Sequence, residues 1–308
     1  MAKTTEDLRK SREQREALKQ KWGGEIPSSV WDVDYSLKGG IHTFGDTQDK
    51  KAESQQSVRI MRGDYDIQLR KDFSSWNKSV RGKDGGLSVF PYDVLRKIVL
   101  FYTELGDIVL DPCAGHNSRM QGTWELGRSY IGYDICKKFM DFNREVAEKI
   151  QKKDKGAFFP RGGGSITLRE QSSEKIEEDD SLVDFIYTSP PYWDLEYYDD
   201  NPEQLGYKHT YEQFLEGLGR IASECFRVLK AGHHCVFNIN DFRKDGIYYS
   251  YHSDIIPYFL KAGFMLWDIT IIKWQGAFGK IFATQIEKFK RMPKQHEYLV
   301  VFKKPEDE

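Results

Sequence analysis

The chain is poor in cysteine, and its four thiols (Cys113, Cys136, Cys225 and Cys235) lie far apart with no CxxC spacing. That excludes a dense disulfide framework and points to free, reduced cysteines in a cytosolic protein. No apolar run approaches the length of a membrane span, and the highly charged N-terminus has no apolar stretch of the secretory kind. Neither charge is in excess. Lys and Arg number 46 against 48 Asp and Glu, for a net charge of -2 at pH 7. The whole chain is therefore no electrostatic magnet for a polyanion, and any affinity for nucleic acid must come from local basic patches. No internal repeat is visible.

What is present suits an intracellular globular protein: 308 residues, 39% hydrophobic and 31% charged. That length holds one large α/β domain, alone or with an added flank. The 14% of aromatic residues serves a base-stacking surface or a bulky core equally well. Residues 4–22 combine strong helix formers with almost no apolar stripe, as in a solvated helix or an arm that docks on a partner. From Gly23 to Gly86 the text is polar and glycine-dotted, with short apolar islands such as Val30–Val33, and predicts an irregular flank. Its basic residues alternate with Tyr65, Phe73 and Trp76, which fits contact with phosphates and bases or a loop-rich surface.

From Ser88 the pattern changes. Phe90 and Pro91 open a helix whose buried face carries Val94, Leu95, Ile98 and Val99. Strands follow at 108–110, 130–133, 165–168 and 183–187, with helices between them. A helix over about 210–228, a strand at 235–239, a helix over 253–262 and strands at 265–273 and 297–302 complete the order. Alternating strands and helices predict an α/β, doubly wound, mostly parallel sheet. The boundaries are a flank over 1–87 and a main domain over 88–308, with a basic flap at 274–294.

Three constellations carry chemistry. Asp111, Pro112, Cys113, Ala114, Gly115, His116, Asn117 and Ser118 follow a buried strand and open a helix. Open α/β sheets bind ligands there, where glycine permits close backbone approach and the Asp111 carboxylate can face a cation. The segment matches neither Gly-x-x-x-x-Gly-Lys-Ser/Thr nor a clean Gly-x-Gly-x-x-Gly. Asp134 ends the next strand; an acid there accepts the two hydroxyls of a ribose, or caps the following helix. Third is the strand ending Thr188-Ser189-Pro190-Pro191-Tyr192-Trp193. Two prolines cannot continue a ladder and hold the backbone rigid. An exocyclic base nitrogen is a poor nucleophile because its lone pair is delocalised into the ring. The Ser189 hydroxyl and the Pro190 carbonyl can accept its N–H hydrogens and favour the pyramidal form of the transition state, while Tyr192 stacks on an extruded base.

The Thr-Ser-Pro-Pro-Tyr run with Asp-Pro-Cys-Ala-Gly upstream resembles the amino-methyltransferases of DNA, the N4-cytosine and N6-adenine class. The match runs in register from Ser88 to Lys303. It implies a Rossmann-like fold, S-adenosyl-L-methionine as cofactor, and direct transfer to a base flipped out of double-stranded DNA. By the same resemblance Phe90 and Pro91 start the helix over the methionine end of the cofactor. Asp111–Gly115, Asn117 and Ser118 form the cofactor loop, Asp134 is the ribose acid, and Ser189–Tyr192 is the catalytic corner. Cys113 stands where Phe is usual, His116 and Asn117 replace the second glycine, and Gln171 stands near where an acid often holds the adenine amine. The variant loop, with Asp194, Leu195, Glu196 and Tyr197 after the corner, is similar to phage-type modification methylases, which implies the cytoplasm of a bacterial or phage-infected cell. Ser189 at the first motif position leans toward cytosine N4 over adenine N6.

With no large recognition domain in view, target reading falls to residues 23–87 or to 274–294. The latter carries Lys280, Lys288, Lys290 and Arg291 among Trp274, Phe278, Phe282 and Phe289, as in a flap over nucleic acid or a solvated loop. Trp193 joins these as a nucleic-acid contact. A homodimer or a partner protein would dock through the N-terminal helix. His233, His234 and Cys235 alternate across a strand and make a poor metal site, so no metal is expected. Two other classes of function stay open: an RNA base methyltransferase, and a non-catalytic nucleic-acid-binding module on a degenerate fold.

Overall fold

A computed structural model of the protein describes residues 13, 16, 17, 28–34, 90, 92–155, 164–195, 198, 200–208, 210–275, 286, 288–292 and 294–307. Of the helix expected over 4–22, only Glu13, Glu16 and Ala17 are described, and all three are helical. Pro91, Lys280 and nearly all of the flank lie outside the described residues.

The main sheet contains β1 (Val30–Asp34), β2 (Ile108–Asp111), β3 (Ser129–Tyr133), β4 (Ile166–Arg169), β5 (Val183–Thr188), β6 (Leu229–Ile239), β9 (Met265–Gln275) and β10 (His296–Lys303). A separate hairpin is formed by β7 (Phe242–Lys244) and β8 (Ile247–Tyr249). Helices α1 (Tyr92–Tyr102), α2 (Ser118–Glu125), α3 (Lys137–Lys155), α4 (Tyr211–Val228), α5 (Tyr251–Asp254) and α6 (Ile256–Ala262) connect and cover the strands. The strand order is β1-β9-β10-β6-β5-β2-β3-β4. Strands β4, β3, β2, β5 and β6 run parallel, β10 is antiparallel to both neighbours, and β1 is parallel to β9. This is the Rossmann-like α/β, doubly wound sheet that the alternating pattern predicts.

Both faces of the sheet are buried, and the period of two along each strand assigns its side chains to one face or the other. Val109, Phe185, Val236, Leu299 and Val301 pack with Val94, Leu95, Ile98 and Val99 of α1. Their strand neighbours Leu110, Ile186, Phe237, Val300 and Phe302 pack with Phe214, Leu218 and Ile221 of α4 and Phe259 of α6. Helix α4 starts on a reciprocal cap: the Thr210 hydroxyl accepts from the Gln213 amide, and the Gln213 side chain accepts from the Thr210 amide.

Three expectations need correction. The island Val30–Val33 is a strand at the sheet edge, so part of the expected flank 1–87 pairs with the domain over 88–308. Trp31 drives this, since it is buried in the same core layer as α1. Strand β6 begins at Leu229 and not Cys235, because the backbone stays extended through a register shift opposite Val183–Phe185. The helix over 253–262 is split at Ile255, where Pro257 has no N–H to donate back into the preceding turn.

From β2 the chain winds outward through β3 and β4, then returns to β5 and winds the other way through β6. The order thus reverses between β2 and β5, and ligands of such sheets bind outside the carboxyl ends of the strands at that crevice. Residues 111–117 and 188–193 leave the sheet there.

Candidate active site

The two loops face one another across an open cleft. Pro112, Cys113 and Gly115 line one side and Ser189, Pro190, Pro191 and Tyr192 the other. Asp134 and Gln171 extend the wall past β3 and β4, Asn238 and Glu297 extend it along β6 and β10, and Phe90 contributes from ahead of α1. The cleft is thus continuous across the switch point.

On the first side Gly115 has φ +54°, a left-handed conformation that glycine adopts without a Cβ penalty. Its amide donates to Asp134 Oδ2 at 2.7 Å, and Asp134 Oδ1 accepts from the Cys136 amide at 2.8 Å. Each carboxylate oxygen keeps a further lone pair for a hydroxyl. Burial pushes the Asp134 carboxyl up to about 6, opposed by the two amides that donate to it. Helix α3 starts three residues later, so Asp134 lies ahead of its cap position.

Asp111 does not face the cleft, contrary to the reading of its carboxylate as a ligand contact. It is buried, and its oxygens are taken by Arg119 Nε at 2.6 Å, the Tyr130 hydroxyl at 2.9 Å, the Thr188 hydroxyl at 2.6 Å and the Cys113 amide at 3.3 Å. Arg119 also donates to the carbonyls of Cys113 at 2.5 Å and Ala114 at 3.1 Å. Burial opposes the guanidinium charge, but the adjoining Asp111 carboxylate holds its pKa above the usual value. The cation that Asp111 meets therefore comes from its own chain.

Three other expected cofactor contacts also turn away from the cleft. Ala114 is buried behind the loop, where its amide donates to the Tyr133 carbonyl at 2.8 Å. The Asn117 side chain donates to Gln121 Oε1 at 3.0 Å, and Ser118 begins α2. With no second glycine the chain enters α2 directly, which carries these side chains along the helix. Phe90, Pro112, Cys113, Gly115 and Asp134 do line the cleft.

Ser189, Pro190, Pro191 and Tyr192 all line the cleft. The Tyr192 hydroxyl accepts from the Asn240 amide at 3.0 Å, its ring meets Phe242 and Tyr251 edge-on, and the Tyr251 hydroxyl donates to the Pro191 carbonyl at 3.2 Å. Trp193 does not join it. Its indole N–H donates to the Lys208 carbonyl at 2.9 Å and its ring packs against Tyr211 and Tyr249 under the Lys244 ammonium, so it is a packing residue. Lys288, Lys290 and Arg291 are exposed, with Lys288 and Arg291 5.2 and 5.1 Å from the Phe289 ring.

Asn238 and Glu297 were invisible in the sequence. The first reads as part of a buried strand and the second as an ordinary strand-edge acid, with no spacing motif to join them. Burial pushes the Glu297 carboxyl up to about 7, and the Asn238 amide donates to its Oε2 at 2.8 Å.

A family model for N6/N4 methyltransferases, described as DNA methylase, matches residues 2–145 and 183–308. The chain belongs to this DNA methylase family. It is also similar to a protein of Thermus thermophilus named as a candidate DNA modification methylase and solved with S-adenosyl-L-methionine, at 26% identity over 44% of this chain and 54% of that one, with a TM-score of 0.34. An S-adenosyl-L-methionine-dependent methyltransferase of Methanosarcina mazei matches at 14% identity, covering 72% of this chain and all of that one, with a TM-score of 0.48. A candidate methyltransferase of Bacillus halodurans C-125 matches at 13% identity over 70% and 98% of the chains, with a TM-score of 0.45. No curated protein matches. Among the described residues of this DNA methylase no helix is long and apolar enough to cross a membrane.

Proposed function

We propose that the protein methylates the exocyclic amino group of a base in double-stranded DNA, with cytosine N4 favoured over adenine N6. The observation that carries this reading is the convergence of the Gly115–Asp134 pair and the Ser189–Tyr192 corner on one cleft at the switch point. Bound S-adenosyl-L-methionine supplies a methyl group activated by its sulfonium. The residues present fit it: Gly115 permits close backbone approach, and the Asp134 carboxylate has lone pairs left for two ribose hydroxyls. Phe90 and Cys113 add apolar surface along the same wall.

The acceptor base is turned out of the duplex into the cleft, where Tyr192 offers an aromatic surface. The Ser189–Pro190 corner presents its acceptors to one amino N–H, and the second points to the opposite wall of the cleft. As the hydrogen bond tightens, the nitrogen lone pair leaves conjugation and is aimed along the line of transfer. The exposed cluster of Lys288, Lys290, Arg291 and Phe289 belongs to a flap that neutralises backbone phosphates.

Nucleoside mass spectrometry of DNA treated with enzyme and labelled cofactor tests this, with an RNA substrate in parallel. Label in N4-methylcytosine or N6-methyladenine from DNA is expected. Label in RNA alone, or no cofactor binding by calorimetry, overturns the reading. Pro191→Ala and Tyr192→Ala should each lower transfer by roughly 100-fold or more, the scale for losing an organised transition-state contact. Cofactor affinity should stay near wild type in both; unimpaired transfer would refute the assignment of the corner.

A further inference from the structure

The cleft continues beyond the catalytic corner on the side away from Asp134, and its wall there is polar. Asn238 follows Phe237, the register partner of Thr188, so it lies level with Ser189 one strand over. Its side chain is only 3% exposed and lines the cleft. The amide nitrogen is taken by Glu297, but Oδ1 has no hydrogen-bond partner among the described residues. A buried carbonyl without a donor costs about 1–3 kcal/mol unless something else supplies one. Position argues for a ligand, and for which one: Gly115, Asp134 and Gln171 occupy the β2–β4 half of the cleft, whereas Asn238 and Glu297 occupy the β6–β10 half.

Building on the amino-transfer reading above, we propose that Asn238 and Glu297 form the subsite that reads the acceptor base, the Asn238 carbonyl accepting an amino N–H and the Glu297 carboxyl donating to the adjacent ring nitrogen. Adenine (N6 with N1) and cytosine (N4 with N3) share that donor–acceptor edge, and thymine and guanine present the reverse at the corresponding atoms. The amino group has two N–H bonds. One goes to the Ser189–Pro190 corner and the other to Asn238. Donation requires Glu297 to be protonated, and burial, partly offset by the Asn238 amide and the Lys294 ammonium, pushes its carboxyl up to about 7. The titratable and charged groups that act on it are Lys294, three residues earlier, and Tyr187 from β5; Arg119 lines the same cleft, its charge met by Asp111.

The sign follows. The donor form is present below about pH 7 and is lost as pH rises through that value. The amide introduced by Glu297→Gln would copy the neutral carboxyl, accepting from Asn238 through its oxygen and donating through its nitrogen. The test measures kcat/KM for unmodified genomic DNA with labelled S-adenosyl-L-methionine from pH 6 to 9, cofactor affinity by calorimetry, and melting temperature. Glu297→Ala and Asn238→Ala should lower kcat/KM by about 30-fold or more, the scale for one lost buried hydrogen bond. Cofactor affinity should stay within about threefold of wild type, because these residues make no cofactor contact. Glu297→Gln should keep most of the activity near pH 6.5 and lose the fall above pH 7. It also keeps the bond to Asn238, so it reports even if the alanine variants fail to fold.

Wild-type kcat/KM in the alanine variants, a Glu297→Gln variant that retains the alkaline fall, or loss of cofactor binding in a folded variant each overturns the subsite. A wild-type enzyme that binds cofactor but transfers nothing to DNA overturns the amino-transfer reading, and the subsite with it.

Discussion

Replacing Asp111 by Asn separates a structural brace from a ligand contact. The carboxylate receives four donors, from Arg119, Tyr130, Thr188 and the Cys113 amide. An amide has one oxygen to offer and turns an NH2 group toward the remaining donors. Arg119, only 6% exposed, is left with its charge unneutralised. Breaking a buried pair from one side costs about 3–5 kcal/mol, because the surviving charge stays out of water. At roughly 2 °C per kcal/mol for a chain of this size, the melting temperature should fall by about 6–10 °C. Urea unfolding followed by tryptophan fluorescence gives the same free energy independently. The double variant Asp111→Leu with Arg119→Met removes both charges and should lose less than the two single changes added together. An Asp111→Asn protein that melts at the wild-type temperature yet binds cofactor weakly would refute the brace and restore the ligand contact.

Two further outcomes follow from the same geometry. In the proposed cofactor site Asp134 is ionised to accept two ribose hydroxyls, and burial raises its carboxyl to about 6, so cofactor affinity measured by calorimetry should hold above that pH and weaken as pH falls through it. Asp134→Asn should bind weakly with little pH dependence; an unchanged profile would show that the titrating group lies elsewhere. Trp193→Ala should cost about 2 kcal/mol in urea unfolding, roughly half the penalty for a fully buried ring. Its DNA affinity at fixed salt should be retained, and a loss of affinity without a loss of stability would make Trp193 a base contact after all.

The parts of the fold that could be read in the sequence were those where one physical signal dominates. Val94, Leu95, Ile98 and Val99 repeat at helical spacing and are buried as a stripe. The runs Val109–Leu110 in β2, Phe185–Tyr187 in β5 and Cys235–Phe237 in β6 are apolar because both faces of a central strand are covered. The Ser189–Tyr192 corner was legible because two prolines after a strand leave the backbone few alternatives. Partner choice was not. The type and position of Asp111 are compatible with binding a ligand, and only the arrival of Arg119 from the first turn of α2 and Thr188 from β5 redirects it inward. Trp193 follows the motif directly, yet it is claimed by Tyr211 and Tyr249 from elements further along the chain. Asn238 and Glu297 are 59 residues apart and meet only because β10 returns antiparallel beside β6. A hydrophobic period reports which face is buried and says nothing about which polar groups will meet across it.

The brace explains how a site at a topological switch point can be rigid at all. Strands β2 and β5 pair only through Val109–Phe185 and Leu110–Ile186, after which their backbones part to open the cleft. An opening between strands is where a ligand fits, and it is also where the sheet no longer holds the walls. Side chains take over from the ladder there. The Thr188 hydroxyl donates to Asp111 at 2.6 Å and accepts from the Cys113 amide at 3.2 Å, tying the last residue of β5 to both the end of β2 and the loop beyond it. The loop after β2 and the corner after β5, the donor and acceptor sides in the proposed reaction, are therefore fixed to one buried carboxylate. In-line transfer needs the reacting atoms at roughly 3–3.5 Å with little tolerance, so a loose joint at this point would cost rate even with every contacting residue intact. On this argument Thr188→Val, which deletes both bonds and touches neither ligand, should lower kcat more than it weakens cofactor binding.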